Sequence, residues 1–338
     1  MKRKQRAILR LLLLGLLVGI LASFSLGQYP VPVRAVLGIL GKKAGLPVAS
    51  FWTNAMETAV WNIRLPRVLL SVLVGMSLSA AGSAYQGVFQ NPMASPDILG
   101  ASAGAGFGAA LSILLGASSA CIMLGAFASG VITVGLVFWV SRYAKGDRVL
   151  GLVLSGMMIS TLFQSGTSYL KLAADPANQL PQITYWLMGS LSGAKWSDVL
   201  FAIVPMALGW IPLLLLRWHL NVITVGDDEA RTMGVHPRRI RFLVVLSSTL
   251  MTAAAVAVSG IIGWVGLVIP HIMRRLVGND YRWLMPASML GGGLFLLVVD
   301  NISRGLTASG IPIGILTAFV GAPFFLWMIA GKGAGYEH

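Results

Sequence analysis

Gly226-Asp227-Asp228-Glu229-Ala230-Arg231-Thr232-Met233-Gly234-Val235 interrupts a chain made almost entirely of membrane-length apolar runs, and it carries three of the eleven acidic residues. The stretch has its own helix punctuation. Asp227 or Asp228 can accept from the free N–H groups at a helix start, and Glu229 suits the first turn. Gly234 can adopt the left-handed conformation that ends a helix. Pro237 follows, at a position where a second helix can begin. A short helix pinned between apolar runs 197–217 and 240–260 is a poor loop but a good handle, so a partner on that side of the membrane is expected to grip it.

Composition sets the surroundings of this island. The 338 residues are 56% hydrophobic and only 11% charged, with a mean hydropathy of +0.80. A soluble domain of this length carries about a quarter charged residues. Spans of ~20 apolar residues explain the difference. The net charge of +14 does not point to nucleic acid, because the charges sit between apolar runs and not along one continuous face. The single cysteine, Cys121, excludes an internal disulfide framework and a Cys-cluster metal site. Lys2-Arg3-Lys4-Gln5-Arg6 and the apolar run to Leu26 resemble a signal peptide. The run is long for one and lacks a clear cleavage site, so a retained first span is expected.

Ten spans fit the chain, at 7–27, 66–88, 97–116, 118–141, 149–170, 197–217, 240–260, 262–277, 283–303 and 311–330. An even count places both termini on one side. With the N-terminus inside, 17 of the 25 Lys and Arg are internal: Lys2, Arg3, Lys4, Arg6, Arg10, Arg142, Lys145, Arg148, Arg217, Arg231, Arg238, Arg239, Arg241, Arg274, Arg275, Arg282 and Lys332. Arg34, Lys42, Lys43, Arg64, Arg67, Lys171, Lys195 and Arg304 fall outside. The bias follows the positive-inside rule and puts 226–235 in the cytoplasm. Residues 28–65 and 172–196 are outer segments, each expected to hold a short interfacial helix. The reading is an all-α integral membrane protein, a single transmembrane domain over 1–338, with no soluble domain.

Small residues and backbone breaks mark the interior. Gly100, Gly104 and Gly108 share one helix face, and that spacing lets helices approach closely in lipid. Helix packing is preferred here to a ligand role. Gly260, Gly263 and Gly266 lead into Pro270-His271, and Gly310-Ile311-Pro312-Ile313-Gly314 opens the last span. Breaks at membrane depth survive only where protein or a water-filled cavity covers them, which suggests a moving bundle around a pathway. Asp97 and His271 are ionisable groups at depth, so each is a functional candidate. Capping of a broken helix is the structural alternative for both.

Asp300 and Arg304 stand at i and i+4, where they can pair. Arg64-Leu65-Pro66-Arg67 sits on the outer side, against the charge trend. Cations at a helix start oppose its dipole, so helix stability does not explain them. They bind lipid phosphate or meet an acidic partner. Arg64, Arg67 and Arg304 together make a docking set for carboxylates.

No G-x-x-x-x-G-K-[ST] phosphate loop, H-E-x-x-H or G-x-S-x-G occurs in the chain. The protein therefore has no visible engine, and uphill transport needs an ion gradient or an ATPase partner. An ion-coupled secondary transporter using Asp97 or Asp300 is the main alternative. An intramembrane enzyme built on His271 has no partner nucleophile.

Taken together these residues resemble the FecCD-type permease family, the membrane subunits of type II ABC importers for iron–siderophore complexes, haem and cobalamin. The resemblance rests on Arg64-Leu65-Pro66-Arg67, Gly75, Gly82, Gln86, Asn91-Pro92, Pro96-Asp97-Ile98-Leu99-Gly100 with Gly104, and Gly226 through Val235. Towards the end it rests on Gly266 through His271 with Arg274, Asp300 with Arg304, and Pro312 with Gly314. Met93 stands where the family usually has Leu, and Trp264 where Phe is common. The resemblance implies a ten-helix subunit in a homodimer or pseudo-symmetric pair, in a prokaryotic inner membrane. It implies a pathway at the dimer axis, with Gln86, Asn91, Pro92, Gly100, Gly104, Gly108, Pro270 and His271 as pathway or packing residues. An outer binding protein would present acidic groups to Arg64, Arg67 and Arg304. Two ATPase subunits would hold ATP and Mg, and this chain would bind no cofactor or metal. Residues 226–235 would be the coupling helix, with Gly226, Asp227, Asp228, Glu229, Ala230, Arg231, Met233, Gly234 and Val235 as its contacts. Iron–siderophore leads among cargoes, with haem, cobalamin and molybdate-type oxyanions open.

Overall fold

A computed structural model describes residues 2–27, 29–144, 148–306 and 310–331. Lys145 and Lys332, counted above as inner cations, and the C-terminal residues lie outside that set. The helices are α1 (Lys2–Ser25), α2 (Val33–Lys43), α3 (Asn54–Thr58), α4 (Leu65–Val88), α5 (Ala101–Leu114), α6 (Ser119–Ser141) and α7 (Arg148–Ala173). They continue with α8 (Gln179–Leu187), α9 (Trp196–Ile223), α10 (Asp227–Thr232), α11 (Pro237–Ser259), α12 (Val265–Val277), α13 (Tyr281–Leu306) and α14 (Ile313–Gly331). No strand occurs among the described residues. Short helices do occur in both segments where they are expected, as α2 and α8.

Among the described residues, seven helices are long and apolar enough to cross a membrane. The expected spans at 97–116, 262–277 and 311–330 fall short of that measure. Two of them, α5 with 14 residues and α12 with 13, are half-helices. Each starts inside the bundle after a stretch without α-helix, at 89–100, which holds only a 3-10 turn at Pro96–Leu99, and at 260–264.

The expected span at 66–88 is present as α4, with Pro66 in its first turn. Helical backbone also runs ahead of it from Asn54, capped by Thr53, whose hydroxyl accepts from the Met56 N–H. Pro66 lacks an N–H and would clash with the carbonyl four residues back. The chain absorbs it in a π-helical turn over Ala59–Arg64, in which the Leu65 N–H donates to Val60 O. Helix α4 therefore follows α3 without a break in helical backbone.

Helix α4 is the centre of the bundle. From Ser77 to Val88 every residue is buried, and most are Ala, Ser or Gly. Without side-chain bulk, neighbouring backbones close in. A β-carbon at Gly75 would lie 2.9 Å from Leu296 Cβ of α13, and one at Gly82 would lie 2.7 Å from Gly266 Cα of α12. A β-carbon at Gly266 would in turn lie 2.5 Å from Pro96 Cγ. The stretch that precedes α5 and the first turn of α12 thus meet on α4, and protein covers the chain breaks there as lipid demands. Helices α1 and α7 are peripheral, and α1 turns Leu11, Leu14 and Leu17 outward.

Candidate functional site

Hydrogen bonds between distant segments define two ends of the molecule. At one end Gln5 Nε2 donates to Val277 O (2.8 Å), Gln90 Nε2 to Ile223 O (2.9 Å) and Asn221 Nδ2 to Asp280 Oδ1 (2.7 Å). This end gathers the basic N-terminus, α10, Arg274, Arg275 and Arg282. The hydrogen bonds from Arg282, then from Asn221, hold the Asp280 carboxyl at about 2 against the cost of its partial burial. A depressed carboxyl keeps its tie above the ordinary carboxylate range and releases it only as pH falls toward that value.

Helix α10 stands at this end. Val235 N–H donates to Ala230 O (2.9 Å) and Gly234 N–H to Arg231 O (3.0 Å). This is the Schellman pattern, and it requires the left-handed residue that Gly234 supplies at φ 77°. Ala230 and Val235, the pair that such a turn brings into apolar contact, are both buried in the main core. Pro237 opens α11 as expected. The expected N-cap is corrected: Gly226 occupies that position without a side-chain bond. Asp227 instead accepts two bonds from the Arg241 guanidinium (2.7 and 2.5 Å), which pull its carboxyl below the usual range. Asp228 pairs with Arg231 at 3.0 Å. Asp228, Glu229, Arg231, Thr232 and Met233 remain exposed. The Asp227–Arg241 tie and the Gly234 turn thus hold an outward face of mixed charge around one apolar side chain, Met233.

The opposite end carries the three arginines, and their arrangement corrects the expected docking set. Arg64 is buried and donates to the carbonyls of Phe24 and Tyr29. Arg67 Nε lies 2.8 Å from Asp300 Oδ1, and Arg304 Nε lies 3.2 Å from Asp300 Oδ2. Asp300 is wholly buried. Arg304 also donates to Ser23 O (3.3 Å) and to Asn301. The guanidinium groups are turned inward, so none presents a free fork to a partner. The sequence puzzle of cations at a helix start is resolved by a different helix. Arg64 and Arg304 reach the last-turn carbonyls of α1, where cations complement the dipole. The expected i,i+4 pair of Asp300 and Arg304 is present. Asp300, held by two guanidiniums, is a poor site for a transported proton or cation.

The expected pathway and packing residues separate into three groups. A β-carbon at Gly104 would lie 2.6 Å from Thr133 Cβ, and one at Gly108 would lie 2.5 Å from Ser129 Cβ. These glycines seat α5 on α6, which is the packing reading. Gly100, at φ 77°, precedes α5 and abuts Ser160 of α7. Buried Gln86 bridges helices, donating to Leu267 O (3.4 Å) and accepting from Arg274 (3.1 Å). Pro270 is buried in α12, and the His271 ring lies edge-on to Phe324 of α14 at 6.1 Å. Asn91 and Pro92 are exposed at the basic end, where Asn91 Oδ1 accepts from Met93 N–H (2.9 Å). Trp264 has φ 71°, which is rare for a bulky residue, and its ring packs over Gly321 of α14. Asp97 does not cap α5 but accepts from the Ser102 hydroxyl.

Asp97 and Ser102 open into a cavity of about 440 Å³ between α5 and α7, lined also by Leu187 and Ile261. The sequence reading missed its principal wall. Ser160, Gln164, Thr167, Ser168 and Lys171 line it from α7, at spacings that keep them on one helix face. The signal was available as a polar stripe of helical period inside an apolar run. Thr161 and Ser165 extend that polar surface and are exposed. Such a stripe does not suit lipid.

A sequence profile of the FecCD transport family matches residues 15–331. This chain belongs to the FecCD transport family. Among its relatives, the molybdate import system permease protein MolB of Haemophilus influenzae is 39% identical over 314 residues, covering 93% of this chain and 92% of MolB. The hemin transport system permease protein HmuU of Yersinia pestis is 38% identical over 329 residues, covering 94% and 95%. The fold superposes with a TM-score of 0.84 and 36% identity on the inward-facing conformation of a metal-chelate type ABC transporter, covering 96% of this chain and 99% of that one. A FecCD member with this fold is the permease subunit of a type II ABC importer. It is a multi-pass membrane protein and a transport subunit, not itself a catalyst.

Proposed function

We propose that this FecCD permease moves a metal chelate or related complex into the cytoplasm by ATP-driven alternating access. It works as a dimer of ten-span subunits whose termini are cytoplasmic. Two separate ATPase subunits grip α10, and an outer binding protein delivers cargo to the opposite end. Iron–siderophore remains the leading cargo. The names of MolB and HmuU keep molybdate-type oxyanions and haem as the other members of the set, with cobalamin.

The observation that carries this reading is α10. It is braced by the Asp227–Arg241 ion pair and closed by the Gly234 turn, yet Asp228, Glu229, Arg231, Thr232 and Met233 on its outward face are exposed and pair, among the described residues, only within the helix itself. Bracing with the outward face left exposed suits a lever that is pushed from outside. The polar stripe on α7 supports the dimer. A polar face exposed in one subunit lines water or a second copy in the bilayer. Asp300, locked between Arg67 and Arg304, disfavours the ion-coupled alternative.

The test uses a Met233→Cys variant in a Cys121→Ser background. Met233 is 56% exposed. On purification from its native host, the permease is expected to bring an ATP-hydrolysing subunit and to cross-link to it through residue 233. Purification of an active transporter with no such subunit would contradict the reading.

A further inference from the structure

We infer that Lys171 is the cargo-selecting residue of the α5–α7 cavity, and that the cargo presents anionic oxygens. The inference rests on reading that cavity as part of the transport path. Two charged side chains line the cavity, Asp97 and Lys171. They are not paired with each other. Asp97 is committed to the Ser102 hydroxyl, whereas Lys171 has no ion-pair or hydrogen-bond partner among the described residues. Ser160 adjoins Gly100 beside Asp97. Lys171 is eleven residues further along α7, so the two charges stand roughly 16 Å apart along the helix axis. Lys171 is the charge nearer the arginine-bearing end, two residues before α7 ends at Ala173.

The wall between them has a definite hydrogen-bonding sense. Ser160 donates its hydroxyl proton to Gly156 O (2.6 Å), Thr167 to Phe163 O (2.9 Å) and Ser168 to Gln164 O (3.0 Å). With their protons spent on their own helix, these hydroxyls offer lone pairs to the cavity. Apart from the Gln164 amide, Lys171 is the one strong donor on this wall, and it brings a full charge with three N–H groups. A carboxylate, hydroxamate or oxyanion group is therefore captured at Lys171. Further in, acceptor oxygens and Asp97 do not hold it. This arrangement admits an anionic cargo and lets it leave, which a path of uniformly positive wall would not. A cargo without anionic oxygens gains nothing from Lys171.

The test reads the field of the cavity directly. In the full-length permease within its transporter, Cys121→Ser removes the native thiol and Ser168→Cys places one beside Lys171. Labelling rates with a negatively and a positively charged methanethiosulfonate of equal size are compared. The anionic reagent is expected to react faster. Lys171→Gln should lower the anionic-to-cationic ratio by roughly tenfold, Lys171→Glu should lower it further, and Lys171→Arg should retain it. An unchanged ratio in the Gln and Glu variants would overturn the inference. Failure of residue 168 to react with either reagent would instead remove the cavity from the path, and the inference with it. The readout needs neither ATP nor cargo, so the importer reading stands or falls separately. In the complete transporter, uptake of ferric citrate and molybdate should weaken in Lys171→Glu through a raised KM. A wild-type transporter that carries neutral cyanocobalamin and neither anion would also overturn the inference.

Discussion

Asp300→Asn is expected to destabilise the folded permease by about 3–5 kcal/mol, because it strips the counter-charge from two covered guanidiniums. Asp300 is fully buried, and the Arg67 and Arg304 side chains are only 13% and 10% exposed. In the variant both cations keep their desolvation and lose their Coulomb partner. The effect reaches beyond one pair. Arg304 and Arg64 also hold the last carbonyls of α1, so the variant loosens α1 from α4 and α13. Thermal unfolding of the purified permease measures this. The order of loss should be Asp300→Asn first and Arg67→Gln well behind, since Arg304 still neutralises Asp300 when Arg67 is gone. An unfolding temperature equal to wild type in Asp300→Asn would mean that water or lipid headgroups screen the cluster.

Gly82→Ala is expected to prevent correct packing of the bundle, with a loss that exceeds the roughly 1–3 kcal/mol typical of overpacking. The usual relief is rotation of a flexible side chain. Here the added methyl meets backbone, at 2.7 Å from Gly266 Cα and closer still to the Gly266 carbonyl. Helix α12 would have to move, and Gly266 is itself wedged against Pro96 and Leu78 O. Both half-helices would therefore shift together. Gly135→Ala is the control. Nothing lies within 4 Å of a β-carbon there, and Ala favours an exposed helix by up to about 1 kcal/mol over Gly. Membrane yield and thermal unfolding should separate the two variants clearly. Wild-type behaviour of Gly82→Ala would refute the close approach of α4 and α12.

The contrast between these two sites shows what the sequence could and could not reveal. Long apolar helices, the two short helices of the segments 28–65 and 172–196 and the end of α10 at Gly234 were legible, because length, periodicity and left-handed glycine are local properties. The glycine face of Gly100, Gly104 and Gly108 was legible as packing, although its partner, α6, was not. The roles of Arg64, Arg67 and Arg304 were misread. A charge's partner is a tertiary matter, and the α1 carbonyl that receives Arg64, that of Phe24, is 40 residues away along the chain. Asp227 was misread for the same reason, since Arg241 offers a better bond than the helix start. The start of α4 near Pro66 was legible, but the helical run ahead of it from Asn54 was not, because a π-helical turn cannot be read from residue types. The α7 stripe was overlooked although its spacing was visible, because serine and threonine inside an apolar run suit packing equally well.

Gly234→Pro tests the central claim, that α10 transmits force from a separate motor. Proline cannot reach φ 77°, and it removes the N–H that Gly234 donates to Arg231 O. The turn that closes α10 opens, while the flanking α9 and α11 keep their own hydrogen bonds. In vesicles carrying the complete transporter, the account predicts normal membrane insertion, retained basal ATP hydrolysis by the partner and uptake reduced to background. Uptake at the wild-type rate in Gly234→Pro, or uptake driven by an ion gradient in the absence of ATP, would contradict it.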